Sequence, residues 1–136
     1  MISFNYETDF ILENKEQITQ WISSVISEEA FNEGEINYIF CDDNYLLGIN
    51  LEFLDHDTLT DIISFDYTMG KEINGDIYIS VERVQENAEE FKTVFSNELH
   101  RVMVHGVLHY CGYKDKSETE EKLMREKENY YINRLS

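Results

Sequence analysis

The 136-residue sequence contains no proline, only two cysteines and few basic side chains. Cys41 and Cys111 are too few for a disulfide framework in a chain long enough to build its own core, so we expect reduced thiols. No apolar run approaches the roughly 18–20 residues of a membrane span, and the N-terminal MISFNYETDF has neither the basic nor the apolar region of a signal peptide. These absences predict a soluble, cytoplasmic protein. The missing proline removes slow X-Pro isomerisation from folding but excludes no function.

Basic side chains number 11 against 28 acidic ones, which gives a net charge of −17. Taken as a whole, this excess argues against nucleic-acid binding, because a phosphate backbone is repelled. The charge is unevenly distributed, however. Residues 1–82 hold 18 acidic and two basic side chains, a net −16, whereas residues 83–136 hold ten and nine, a net −1. We therefore expect an anionic substrate to meet the second part, and a basic protein to meet the first.

A hydrophobic fraction of 42% with 13% aromatic residues is typical of folded chains, and the length fits a single domain over residues 1–136. Alternating apolar residues predict strands at 2–6, 35–41, 61–65 and 76–80. Helical periodicity marks four regions: 14–30, which Gly34 ends, a helix capped at Asp42, a long region over 81–111 that breaks near Asn97, and 117–135. A capping box of Ser117 and Glu120 begins the last of them. The predicted fold is α+β, a small mixed sheet of about four strands packed with helices.

The segment HGVLHYCGYKD, residues 105–115, carries the most informative pattern. Residues four apart lie on one helical face, so His105 and His109 can present their imidazoles to one cation. Gly112 lets the chain turn, so that Asp115 can return to the same point. The pattern H-x3-H-x5-D, with its glycine three residues after the second histidine, parallels helix-borne zinc sites. Two histidines and one carboxylate leave an open coordination position, as in catalytic zinc sites, on a helix that we expect to be central.

A water bound at such a site can be acidified and can attack an electrophile. Metallopeptidases of the H-E-x-x-H kind place a glutamate after the first histidine, but here that position is Gly106. The missing base argues against a peptidase. Phosphodiester hydrolysis asks less of a base, because the metal also offsets charge on the phosphoryl oxygens. A peptidase or amidohydrolase stays open if a distant acid, such as Asp61 or Glu98, lies at the site.

HGVLHYCGYKD resembles the metal-binding signature of the YbeY family of bacterial rRNA maturation factors and metal-dependent endoribonucleases. Two further stretches, residues 50–65 (NLEFLDHDTLTDIISF) and 75–80 (GDIYIS), resemble other segments of that family. The resemblance spans nearly the whole chain. It implies a small α+β fold, a zinc ion held by three side chains, and a part in the maturation of small-subunit ribosomal RNA and in ribosome quality control.

Two departures from the family pattern concern the site. The third ligand is usually histidine, but Asp115 stands there, preceded by Lys114 where the family tends to have aspartate. Aspartate is a competent zinc ligand and makes the site more tolerant of manganese or magnesium. Residues 50–54 lack the arginine of many members. We therefore expect Arg101 or Lys114 to supply the missing cation, or nuclease activity to be weak. The counterpart of Ser64 lies in a signature stretch near the cleft.

The sequence thus predicts His105, His109 and Asp115 as ligands of a zinc ion, with Arg101, Lys114 and Ser64 as catalytic residues. The expected partners are ribosomal RNA or a pre-ribosomal particle and a basic ribosomal protein, with no membrane and no DNA. The alternative function is a ribosome-assembly factor in which the metal is mainly structural. Three further residues are expected outside the site: a surface or capping histidine, a solvated loop histidine and a packed thiol, namely His100, His56 and Cys111.

Overall fold

A computed structural model of the chain describes residues 1–54 and 59–135. Within this described part the elements are β1 (Ile2–Tyr6), α1 (Lys15–Glu28), β2 (Asn32–Cys41), α2 (Asp43–Leu54), β3 (Ile62–Asp66), β4 (Glu72–Ser80), α3 (Val81–Glu90), α4 (Phe95–Tyr110) and α5 (Glu118–Ile132). The sheet order is β1-β2-β4-β3. β1, β2 and β4 run parallel, and β3 pairs antiparallel with β4. The predicted α+β fold with a four-strand mixed sheet is confirmed.

The core lies between the sheet and the helices α1 and α4. On the sheet side, alternate residues of the two central strands are fully buried, among them Tyr38, Phe40, Ile77 and Ile79. On the helix side, α1 buries the stripe that its periodicity predicts: Ile18, Trp21, Ile22, Val25 and Ile26. Burying one large apolar side chain stabilises a fold by about 1.5–3 kcal/mol, so this interface holds the sheet and helices together.

Helix α4 is the central helix, as predicted. It packs against β3 and β4 of the sheet and against α1, α3 and α5. Gly106 permits the close approach to the sheet, because a Cβ there would lie 3.1 Å from the Cδ1 atoms of Ile62 and Ile77. The small residue therefore brings the helix that carries both histidines of the motif directly against the strands.

The long helical region differs from the prediction. Two helices are present, and the interruption at residues 91–94 precedes the expected break at Asn97. The Ser80 side chain caps the first of them, α3, by accepting the Arg83 N–H at 3.2 Å. Lys92 then adopts a left-handed φ of 57° and the Thr93 N–H donates to the Ala88 carbonyl, which ends α3. A lysine in this conformation carries no signal such as glycine gives, so periodicity alone placed the break a few residues too late.

Other predicted boundaries had mixed outcomes. The cap of α2 is confirmed, since the Tyr45 N–H donates to Asp42 Oδ1 at 2.8 Å. The capping box of Ser117 and Glu120 at the start of α5 is also confirmed. Gly34, expected to end the first helical region, lies inside β2 instead, because that strand begins at Asn32. His56 lies outside the described residues. No helix in the part of the chain that the structure describes is long and apolar enough to span a membrane.

The sheet and α4 come into close contact at Gly75, and a mutation of this residue can test the contact. The Tyr110 hydroxyl donates to the carbonyl oxygens of Phe65 and Asp76, at 2.9 and 3.2 Å. A Cβ at Gly75 would overlap that hydroxyl and lie 2.6 Å from the Phe65 carbonyl oxygen. We predict that Gly75→Ala lowers the free energy of unfolding by about 1–3 kcal/mol, measured by urea denaturation.

Gly48 provides the matched control. It lies within helix α2, and nothing stands within 4 Å of a Cβ placed there. Gly48→Ala should raise the free energy of unfolding by roughly 0.5–1 kcal/mol, because alanine is the better helix former. Equal free energies of unfolding for the two variants would contradict the close approach at Gly75.

Candidate metal centre

The end of α4 determines where the motif places its third residue. Tyr113 N–H donates to the Leu108 carbonyl at 3.1 Å, and Gly112 between them has a φ of 101°. This is a Schellman-type helix end, which reverses the chain direction through a left-handed glycine. The turn brings Asp115 back towards the face of α4 that carries His105 and His109, as the position of the glycine predicts.

Three potential ligand atoms converge at this end of the helix. The Nε2 atoms of His105 and His109 are 2.9 Å apart. Asp115 Oδ2 lies 3.2 Å from the first and 3.4 Å from the second. Around a tetrahedral zinc ion with ligands at about 2.0–2.1 Å, neighbouring ligand atoms are about 3.3 Å apart. The geometry and the nitrogen and oxygen chemistry of this group therefore fit a metal ion.

The hydrogen bonds of the two rings assign their tautomers. His105 Nδ1–H donates to Glu128 Oε2 at 2.6 Å, and His109 Nδ1–H donates to the backbone carbonyl of Tyr113 at 2.9 Å. In a neutral ring the other nitrogen, Nε2, then carries a lone pair. Two lone pairs and a carboxylate oxygen consequently face one another, and either a proton or a metal cation among them relieves their repulsion.

The charges around His105 also favour a cation at this site. Burial alone lowers the pKa of His105, but the hydrogen bond and charge of Glu128, with the charges of Asp115 and Asp61, raise it above its usual value. In the absence of metal the ring thus gains affinity for a proton. The cause is an excess of negative charge, which favours a metal cation at Nε2 equally.

Glu128 is the residue of the site that the sequence analysis missed. Its side chain is buried on α5, where Oε1 accepts from Arg101 Nη1 at 3.0 Å. Burial raises the pKa of Glu128, but hydrogen bonds and charges from His105 and Arg101, with the charge of Arg125, bring it below the usual value. A signal was present, because Glu128 is spaced four residues from Met124 and three from Tyr131, both buried. A carboxylate in an apolar stripe indicates a buried partner.

The three ligand residues and Glu128 open onto a cavity of about 470 Å³. Its walls combine acidic, basic, small polar and apolar side chains; besides those four they are Thr60, Asp61, Ile62, Ser64, Asn87, Phe91, Glu98, Arg101, Val102 and Arg125. Four carboxylates thus face two guanidinium groups in the described lining. Burial raises the pKa of both Asp61 and Glu98, and each is further influenced by neighbouring charges. The cavity therefore favours cations over anions until a metal offsets its charge.

The predicted catalytic residues occupy different positions. Ser64 and Arg101 line the cavity, whereas Lys114 is exposed and lies outside the described lining. Ser64 is in the middle of β3, paired with Ile77. Asp61 and Glu98, the distant acids of the peptidase alternative, both line the cavity. Of the three predicted catalytic residues, Ser64 and Arg101 thus lie in the cavity wall and Lys114 does not.

Two residues expected outside the metal group lie outside it. The ring of His100 packs edge-on against Trp21 at 5.9 Å, and burial lowers its pKa. His100 is therefore partly buried in an aromatic contact, and the predicted surface or capping role is wrong in this respect. Cys111 is partly buried and packs against the core, where burial raises its pKa to about 12. It is a packed thiol, as predicted.

The structure is an α+β domain in which two helical histidines and a loop carboxylate converge at a cavity. This arrangement makes metal-dependent hydrolases the candidate class. The family model described as Endoribonuclease YbeY matches residues 2–136. The chain belongs to this family. The resemblance of the HGVLHYCGYKD motif is thereby confirmed, and with it the placement among endoribonucleases, a class of hydrolases.

Relatives and a solved structure agree with the family assignment. The chain is 67% identical over 129 residues to a protein of Flavobacterium psychrophilum named Endoribonuclease YbeY, covering 95% of this chain and 92% of that relative. It is 64% identical over 132 residues to one of the same name from Flavobacterium johnsoniae, covering 97% and 95%. The solution structure of TM1509 from Thermotoga maritima is similar, with a TM-score of 0.72, 27% identity, and coverage of 99% of this chain and 89% of that one.

Proposed function

We propose that residues 1–136 form one zinc-dependent endoribonuclease domain that hydrolyses RNA phosphodiesters during the maturation of small-subunit ribosomal RNA and in ribosome quality control. The convergence of His105 Nε2, His109 Nε2 and Asp115 Oδ2 within 3.4 Å carries the metal part of this proposal. Family membership supports the nuclease part. The carboxylate ligand leaves the site less positive than a third histidine would, so manganese or magnesium is the alternative ion.

The side chains of His105, His109 and Asp115 would hold the metal at the wall of the cavity that they line. When bound, zinc supplies a water of lowered pKa and offsets the charge of the phosphoryl oxygens. The protein contributes orientation. Arg101 and Ser64 lie in the cavity wall, which supports a role for the guanidinium and the hydroxyl in binding phosphate oxygens. Lys114 is exposed outside the described lining, which supports a contact with RNA beyond the cavity.

The base that is missing at Gly106 has two candidates in the cavity wall. Burial raises the pKa of Asp61 and of Glu98, which brings both closer to the pH at which a carboxyl exchanges protons effectively. The same two acids are what a peptidase or amidohydrolase would require. Family membership favours the nuclease over that second function, because the matching family model and both relatives are named endoribonucleases.

The charge of the cavity supports metal-dependent access of RNA. Four carboxylates against two arginines in the described lining repel a phosphate, and a divalent cation offsets that difference. With a net charge of −16, residues 1–82 repel nucleic acid. We therefore propose that RNA is delivered in the cytoplasm within a pre-ribosomal particle, whose basic ribosomal protein contacts the acidic first part of the chain.

The metal site is tested by His109→Ala, with His100→Ala as the matched control on the same helix. The first variant removes one of three ligands, so it should lose zinc on dialysis and lose cleavage of a small-subunit rRNA precursor. The second leaves the ligand group intact and should keep both. Metal content is measured by inductively coupled plasma mass spectrometry. Equal zinc content in the two variants would refute the site. Wild-type protein that holds zinc yet leaves RNA uncut would favour the assembly-factor alternative.

The partner surface is tested by charge reversal. Glu13 and Glu16 are exposed in the acidic part, and Glu89 and Glu90 are exposed in the nearly neutral part. Glu13→Lys with Glu16→Lys should weaken co-sedimentation with immature small ribosomal subunits several-fold, because attraction to a basic partner is lost. Glu89→Lys with Glu90→Lys makes the same change in net charge elsewhere and should have little effect. Tighter binding to naked RNA than to particles at physiological salt would contradict the proposal.

A further inference from the structure

We propose that Glu128 is a positioning residue that orients His105 for metal binding, and that Arg101 holds Glu128 in place. This inference rests on the metal site proposed above and extends it to a residue on the next helix, 23 residues further along the chain. The carboxylate of Glu128 has 4% relative exposure and bridges the two side chains, accepting from His105 Nδ1–H at 2.6 Å and from Arg101 Nη1 at 3.0 Å. Its two oxygens have separate donors.

The bond to His105 determines which ring nitrogen is available to a metal. With the proton held at Nδ1 by the carboxylate, Nε2 carries the lone pair and points towards His109 and Asp115. A carboxylate acceptor also makes the imidazole a better donor of its lone pair, as carboxylate–histidine–metal arrangements do. Glu128 thus affects both the orientation and the strength of one ligand.

The two histidines are consequently not equivalent. His109 donates its Nδ1–H to the neutral backbone carbonyl of Tyr113, at 2.9 Å, whereas His105 donates to a charged side chain. The carbonyl belongs to the helix-end turn and is present in any sequence that forms this turn. The carboxylate comes from a single residue of α5. A substitution of Glu128 can therefore change how His105 binds a metal while His105 itself stays in place.

Arg101 makes the burial of Glu128 tolerable. A carboxylate with little access to water is stable only with ionic or hydrogen-bonding partners, and Arg101 lies one helical turn before His105 on the same helix. Arg101 therefore has a structural partner in addition to its place in the cavity wall. A glutamine at position 128 has one acceptor oxygen, so it can satisfy one of the two donors while its amide group opposes the other.

Glu98 provides a matched control for the loss of charge. It is also a buried carboxylate in the wall of the same cavity, with 6% relative exposure. Burial raises the pKa of Glu98, and the charges of Asp61, Arg101, Arg125 and Glu128 act on it as well. Glu98→Gln thus removes one buried negative charge near the site without removing the bond to His105 Nδ1.

The first measurement is zinc affinity by competition with a chromophoric chelator. We expect Glu128→Gln to bind zinc about 10–100-fold more weakly than wild type, the range seen when the partner of a metal-bound histidine is removed. Glu98→Gln should lose much less. Glu128→Asp keeps the charge but shortens the side chain, so it should recover part of the affinity. Equal losses in the glutamine variants, or none in Glu128→Gln, would overturn the inference.

The second measurement detects the proton itself and needs no metal. Long-range ¹H–¹⁵N correlation spectra of the zinc-free protein, recorded at a pH at which the ring is neutral, should show His105 protonated at Nδ1 in wild type and in Glu98→Gln. In Glu128→Gln, or in Glu128→Asp should the first variant not fold, the two tautomers should be mixed. An unchanged tautomer in a folded Glu128 variant would overturn the inference. Wild type that binds no zinc would overturn the metal site as well, whereas tight wild-type binding with no effect of Glu128→Gln would overturn this inference alone.

Discussion

The structure depends on holding three acceptor atoms together against their mutual repulsion. His105 Nε2, His109 Nε2 and Asp115 Oδ2 lie within 3.4 Å of one another, and all three carry lone pairs when both rings are neutral and protonated at Nδ1. A cation at their centre turns this repulsion into attraction. The rest of the fold can be understood as the scaffold that maintains the arrangement.

Several independent contacts supply that scaffold. Gly106 allows α4 to lie against the strands, and Tyr110 links the same helix to the carbonyls of Phe65 and Asp76. The left-handed Gly112 sets the direction of the loop that carries Asp115. The carboxylate of Glu128 reaches the site from α5. Because these contacts involve the sheet, one central helix and one peripheral helix, the site is a property of the whole domain.

The features that were predictable from the sequence are local ones. The i, i+4 pair His105 and His109, the turn glycine, the capping box at Ser117 and the alternating strands all lie within short windows, in which spacing determines geometry. Glu128 was missed because its partners are 23 and 27 residues away on another helix. Only its place in the apolar stripe of α5 indicated burial.

The charge of the site was also difficult to predict from the sequence. The division of the sequence into an acidic and a nearly neutral part suggested that the site belongs to the second part. In space, Asp61 of the acidic part joins Glu98 and Glu128 in the cavity, so that the site itself is rich in carboxylates. Pairing of β3 with β4 brings Asp61 there, and such long-range pairing leaves no mark on composition. The helix break at Lys92 was predicted too late, near Asn97, for a related reason, since a left-handed lysine depends on its tertiary surroundings.

The central claim is that a metal ion sits among the side chains of His105, His109 and Asp115. Anomalous scattering from crystals of the zinc-loaded protein, collected above and below the zinc absorption edge, tests it most directly. The account predicts one strong peak at about 2.0–2.2 Å from both Nε2 atoms and from a carboxylate oxygen of Asp115. A peak elsewhere, or none at these residues in crystals that contain zinc, would contradict it.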